Sequence, residues 1–389
     1  MKVFLFDVDS VLLNPLGYRY GIPAAIHHYT RQWGWGDVGP TEEQIEAMEA
    51  HGISSEWDSI ACILARLLCL ALPDTTHPFP ANLASTHQFL LAQPQPAPKF
   101  DIVAWIGAVM QATQPGEAPA IAALRLLTAQ TPSSFHPLLQ DLLGDTRNVW
   151  QSELTRVFQQ LMLGDALFST TYRLPATLHS TSFLTQYDQT LLSPANAHWL
   201  RNAYSLATAD TPAVAVYTAR PCLPPIDANA DPLGYSPEAE LALQLVGLDG
   251  VPLVGYGCVQ WLAQQVGGNA EQYGKPQVVQ ALGALGAALS GKIATSLQSA
   301  FELVCNGKLL SPFAEWVGHP LQIFIFEDSA RSIRGVQQMG ALLREHGIDA
   351  QVFGMGIDPY GPKQPVLQAV GAKVFADVNQ AILWARQES

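Results

Sequence analysis

Apolar residues run unbroken through 3–6 and stop at two carboxylates, Asp7 and Asp9, set one residue apart. A run of that length, rich in β-branched and aromatic side chains, predicts a buried parallel strand. Residues 212–217 and 321–326 repeat the pattern, ending at Thr218 in one case and at Glu327-Asp328 in the other. Shorter strands are predicted at 251–256, 350–355 and 373–375. Between them the apolar spacing turns helical, at 237–246, 259–266, 277–289, 293–304, 332–346 and 378–386. Strands alternating with helices predict an α/β fold built on a Rossmann-like, doubly wound parallel sheet.

Residues 15–205 lack that alternation. Helical periodicity dominates there, at 41–50, 55–72, 84–92, 101–113, 118–129, 136–143, 148–163 and 195–205, interrupted by proline-rich pieces, above all 73–98. The expected organisation is a core of residues 1–14 and 206–389, with 15–205 inserted after the first strand as an all-helical domain. No internal repeat is evident.

Composition narrows the classes. With 389 residues, 48% of them hydrophobic and 14% charged, the chain has material for a large core and two domains, and does not read as disordered. No apolar run reaches the roughly 18 to 20 residues of a membrane span. The first strand follows the initial Met almost at once, without a basic region or cleavage site, so no signal peptide is expected. A net charge of −13 without a Lys/Arg cluster argues against a nucleic-acid partner. It leaves room for a small phosphorylated substrate, because a divalent cation and one lysine can dominate the field inside a pocket. The five cysteines (Cys62, Cys69, Cys222, Cys258 and Cys305) are odd in number and contain no Cys-x-x-Cys. Neither a disulfide framework nor a zinc site is expected, and the chain reads as a reduced, cytoplasmic protein.

In an open α/β sheet the reactive groups gather beyond the carboxyl ends of the strands. Asp-x-Asp alone reads as a strand followed by a turn or cap. Here, however, Asp7, Asp9, Thr218, Glu327 and Asp328 all follow predicted strands, and Lys275 opens a helix in Gly-Lys-Pro. A parallel sheet would carry all of them to one edge.

This set and order resemble the haloacid dehalogenase-like hydrolase superfamily, in particular its phosphatase and phosphomutase branch. The resemblance covers 1–14 and about 205–389. It rests on Asp7-Val8-Asp9-Ser10-Val11, on Thr218, on Lys275 and on Glu327-Asp328-Ser329 followed by Ser332-Ile-Arg-Gly-Val. It implies a Mg²⁺-dependent phosphatase acting on a small phosphorylated metabolite, with Asp7 attacking phosphorus and carrying an aspartyl-phosphate. Mg²⁺ would be held by Asp7, the backbone carbonyl of Asp9 and Asp328, with Glu327 in support. Asp9 would protonate the leaving oxygen and then deprotonate water. Thr218 and the N–H of Ala219 would bind a phosphoryl oxygen, Arg220 would touch substrate, and Lys275 would neutralise phosphate charge and keep Asp7 ionised. Lys308, in a second Gly-Lys turn, is the alternative lysine. Competing readings are a phosphomutase using the same intermediate and an idle relative serving as a binding or scaffold protein. The sequence carries no reading of oligomeric state.

Two departures from the family pattern stand out. Ser10 occupies a position where the family usually has Gly, and the insertion is about twice the common size of a helical cap. Residues 42–58 resemble the start of caps in phosphoglycolate-phosphatase-like members, which makes Glu56 and Asp58 candidates for substrate contact. Trp33 and Trp35 read as packing, His27-His28 as ordinary helix residues, and Asp358 and Asp377 as turn or cap residues.

Overall fold

The computed structural model describes residues 1–53, 55–72, 79–114, 116–206 and 211–388. Part of the proline-rich stretch, at 73–78, lies outside the described residues. The chain divides into two compact units, Met1–Pro15 with Asp188–Ser389, and Leu16–Tyr187.

The first unit is α/β. Its strands are β1 (Lys2–Phe6), β2 (Leu13–Asn14), β3 (Gln189–Thr190), β4 (Ala213–Tyr217), β5 (Leu253–Val254), β6 (Pro320–Glu327), β7 (Asp349–Ile357) and β8 (Lys373–Phe375). Six of them form a parallel sheet in the order β5-β4-β1-β6-β7-β8. β1 is central: Phe4 lies opposite Val214 on one side and Phe324 on the other. Strands covered on both faces read as continuous apolar runs, and Val3 to Phe6 expose nothing. On one face Phe6 stacks on Phe326 at 4.3 Å and Phe324 on Phe353 at 4.7 Å. Trp199 and Trp384 meet this face, so the helices Pro194–Leu206 and Val378–Gln387 cover it. The opposite face of β7 carries Val352 and Gly354, which pack against the helix Ala330–Glu345. The helix Val278–Ser290 lies alongside that one, over β1, β4 and β5.

β2 and β3 pair antiparallel, Leu13 opposite Thr190 and Asn14 opposite Gln189. They are the outgoing and returning passages of the chain around the insertion. The return comes earlier than the sequence pattern placed it: the unit boundary falls at Asp188, not at residue 206. The helix Pro194–Leu206, read from sequence as the last of the inserted ones, belongs with the sheet because Ala197, Leu200 and Ala203 are buried in the sheet's core.

The second unit is all helical. Its helix Glu56–Ala71 is largely enclosed, with Ser59 to Ala65, Leu67 and Leu68 all buried. It is capped by Ser55, whose hydroxyl accepts the amide of Asp58. The pattern missed the helix Leu16–Gln32, since Gly17, Gly21 and Pro23 read as breakers. A proline inside a helix costs about 3 kcal/mol; here Ile22, Ala25, Ile26 and Tyr29 are buried on the same element and offset it. Gly21 lets the helix pack closely on Met162 and Phe158, and a Cβ there would push the end of the Met162 side chain aside. Among the described residues no helix is long and apolar enough to cross a membrane.

Candidate active site at the carboxyl edge of the sheet

Asp7 continues β1 by one hydrogen bond, its N–H donating to Phe326 O at 2.9 Å. The chain then turns sharply: Leu12 and Leu13 donate to Val8 O, and Ser10 donates to Leu13 O at 2.8 Å. Ser10 sits at the centre of the turn with φ +60, a left-handed conformation that L residues with side chains enter at a cost. The turn points the Asp7 and Asp9 carboxylates in different directions.

Lys275 reaches Asp7 from the far side of the sheet edge. Its Nζ lies 3.0 Å from Asp7 Oδ1 and 2.7 Å from Glu327 Oε2, and 4.4 Å from the centre of the Tyr217 ring. Burial works against the charge on this lysine, but Asp7 and Glu327 more than reverse it and raise its pKa. Glu327, the last residue of β6, is pushed well above the usual carboxylate range by burial and by Asp7, with Lys275 opposing. Asp328 follows and is also raised by burial, against the pull of Lys363.

Gln280, which the sequence pattern left inside an apolar helix, ties the loops together. Its Oε1 accepts the Lys275 N–H at 2.7 Å, and its Nε2 donates to Thr218 O at 2.8 Å and Val254 O at 2.9 Å. A lone buried amide on the helix Val278–Ser290 was the available signal. From the other side Gly335 packs on the Gly-Lys-Pro turn, where a Cβ would stand 2.1 Å from Pro276 O.

Thr218 is engaged within its own loop, and Arg220 departs from expectation. Thr218 is fully buried, and its Oγ1 accepts the Arg220 N–H at 3.2 Å. Oγ1 is the acceptor in that bond, so the hydroxyl proton remains able to donate, and the neighbouring Ala219 is exposed. Arg220 does not offer its guanidinium to a substrate. Nε lies 2.9 and 3.0 Å from the two oxygens of Asp9, while Nη2 lies 2.6 Å from Asp9 Oδ1 and 3.0 Å from Asp188 Oδ2. Burial explains it: with the guanidinium almost wholly enclosed, only paired carboxylates make the charge tolerable. Asp188 was missed because it sits in a stretch read as part of the helical insertion.

Asp7, Glu327 and Asp328 each present an oxygen within 4.8 Å of the others, the one such group of three acidic or metal-ligating side chains among the described residues. The Asp9 carboxylate is not part of it, being turned to Arg220. An all-oxygen donor set of this charge suits a hard divalent cation. Lys363, on the loop after β7, pairs with Asp328 Oδ2.

The remaining candidates lie elsewhere. Lys308 pairs with Glu302 at 3.0 Å on the surface. Asp58 is fully buried in the helical unit, bonded to Thr146 and Arg147, and cannot meet a substrate there. Trp33 and Trp35 are buried ring against ring at 5.0 Å, and His28 bonds Gln32. Asp358 closes a turn and Asp377 caps the last helix.

Fold and site together define an α/β protein whose parallel sheet carries a lysine-threaded acidic cluster at its carboxyl edge. No family model matches the chain, and no curated protein matches it. Among solved structures, it is similar to an X-ray structure from the Northeast Structural Genomics Consortium, target ZR25. That likeness has 16% identity and a TM-score of 0.61 and covers 98% of both chains, which establishes a shared fold. A phosphatase, Tt82 from Thermococcus thioreducens, aligns at 13% identity with a TM-score of 0.40, over 96% of this chain and 100% of that one. A likeness that loose carries no weight here.

Proposed function

We propose that the chain is a haloacid dehalogenase-like phosphomonoesterase that works through a phosphorylated Asp7 with the aid of Mg²⁺. The observation that carries this reading is the position of Lys275, bridging Asp7 and Glu327 beside Asp328 at the end of the central strand. A carboxylate set beside a buried ammonium is placed to attack phosphorus.

In the first step an Asp7 oxygen forms a bond to phosphorus as the bond to the leaving oxygen breaks, and that oxygen takes a proton from Asp9. In the second, water attacks phosphorus, the bond to Asp7 breaks, and Asp9 takes the water's proton. The acidic cluster of Asp7, Glu327 and Asp328 suits such a cation, which Asp7, Asp328 and the Asp9 carbonyl would hold with Glu327 in support. When bound, Mg²⁺ would offset the repulsion between the Asp7 carboxylate and the phosphate. Lys275 adds a fixed positive charge facing the phosphoryl oxygens. Ala219, exposed in the loop that Thr218 braces, would supply a backbone donor.

Arg220 holds both oxygens of Asp9, which as a carboxylate would activate water. Donating to the leaving oxygen requires it to leave the guanidinium and take up a proton. A panel of phosphorylated metabolites assayed with and without Mg²⁺ tests the reading. Turnover should vanish with chelator and fall at least about 10³-fold in Asp7→Asn. Acid quenching of the wild type should trap phosphate on Asp7 in a peptide map. Activity that ignores both chelator and Asp7→Asn overturns the proposal.

A further inference from the structure

Resting on that reading, we infer that Lys363 is a built-in counter-cation for Asp328 that the divalent ion must displace to bind.

The loop that carries Lys363 leaves the carboxyl end of β7, the strand next to β6, and so opens onto the same edge as the acidic cluster. Its backbone is pinned. Asp358 Oδ1 accepts the Gly361 N–H at 3.0 Å and Oδ2 accepts the Lys363 N–H at 2.8 Å, while Asp358 N donates to Phe375 O at 3.0 Å. From this fixed base the Lys363 side chain crosses to Asp328 Oδ2. Lys363 is half exposed along its side chain, at 50%, whereas Lys275 is 7% exposed. Lys275 is enclosed, whereas Lys363 reaches the cluster from the solvent side.

The two lysines divide the cluster between them. Lys275 contacts Asp7 and Glu327 but is not paired with Asp328, which is left to Lys363. Formal charges then assign the roles. Three carboxylates, Lys275 and a divalent ion together are neutral; with Lys363 still seated the cluster would be net positive. The ion and the Lys363 ammonium therefore compete for Asp328. An ion pair with one half-exposed partner is weak enough to give way. In the cation-free protein the same ammonium relieves the repulsion among Asp7, Glu327 and Asp328.

The test is direct binding of Mn²⁺ to the full chain without substrate, by titration calorimetry, for wild type, Lys363→Gln and Lys363→Arg. Removing the competitor should tighten Mn²⁺ binding by about two- to fivefold in Lys363→Gln, and Lys363→Arg should stay near wild type. Cation-free Lys363→Gln should also melt below wild type, so affinity and stability move in opposite senses, which a merely structural role does not produce. Lys363→Met, which has no side-chain hydrogen-bond donor, guards against the Gln amide standing in for the ammonium. Wild-type binding with equal or weaker binding in both neutral variants overturns the exchange and leaves the phosphatase reading intact. A wild type that binds no Mn²⁺ overturns both.

Discussion

The guanidinium of Arg220 closes on both oxygens of Asp9, with Nε at 2.9 and 3.0 Å. Asp188 takes another edge of the same group at 3.0 Å. Arginine keeps its proton, so this is a permanent charge shared by two acids. Arg220→Met should destabilise the protein by about 3 kcal/mol, since it takes the guanidinium away from the buried Asp188 carboxylate and from Asp9. Arg220→Lys should recover only part, because a point charge cannot fork across a carboxylate. Urea unfolding measures both, and an Arg220→Met protein as stable as wild type would contradict the pairing.

The double duty proposed for Asp9 predicts a substrate-dependent defect. An aryl phosphate with an acidic leaving group needs no proton in the first step, whereas an alkyl phosphate does. Asp9→Asn should therefore phosphorylate Asp7 readily from 4-nitrophenyl phosphate and then stall, giving a burst followed by slow turnover. From an alkyl phosphate it should lose about 10²- to 10⁴-fold without a burst. Stopped-flow traces showing equal losses and no burst with either substrate would remove Asp9 from both steps.

Glu240 makes stability pH-dependent. Burial lifts its carboxyl to about 7, although the Leu223 N–H bonded to it at 2.8 Å pulls the other way. Between the ordinary carboxylate value and about 7 the folded chain holds the proton more tightly than the unfolded chain. Stability should thus fall as pH rises through that window and level off above it. Glu240→Gln should flatten the slope and gain up to about 3 kcal/mol at pH 8, with little change at pH 4.5. Unfolding curves across that range decide it, and a wild type with no slope that Gln removes would sink it.

Ser10 is a conformational test. At φ +60 a β-branched side chain fits poorly, so Ser10→Val should cost about 2 kcal/mol. Ser10→Gly relieves the strain but loosens the unfolded chain, leaving a net change within about 1 kcal/mol. Melting temperatures order the three; Val as stable as Ser would show the turn can relax.

The acidic edge of the sheet was legible because its signals are local. Asp7, Thr218, Glu327 and Asp328 each end an apolar run, and strand direction then brings them together. What stayed hidden depends on partners distant in the chain. Arg220 read as a substrate ligand because nothing nearby announces Asp188 or the turn of Asp9 toward it. Lys363 sits among prolines and glycine on a loop with no periodicity, and reaches Asp328 only because β7 lies beside β6. The helix Leu16–Gln32 was lost to its own glycines and proline, whose local cost is repaid by packing that periodicity cannot see. Cys222 and Cys258, far apart in the sequence, end 3.6 Å apart as buried thiols.

The paired strands β2 and β3 have a consequence for how such a chain can be rebuilt. Neighbouring strands lie about 4.8 Å apart, so the points where Leu16–Tyr187 is spliced in are already held at hairpin distance by Leu13 facing Thr190. Excising the whole segment and closing the gap with a two-residue Asn-Gly turn leaves the sheet's connectivity untouched. The ribbon is in effect a socket: any segment spliced there must begin and end at one paired rung.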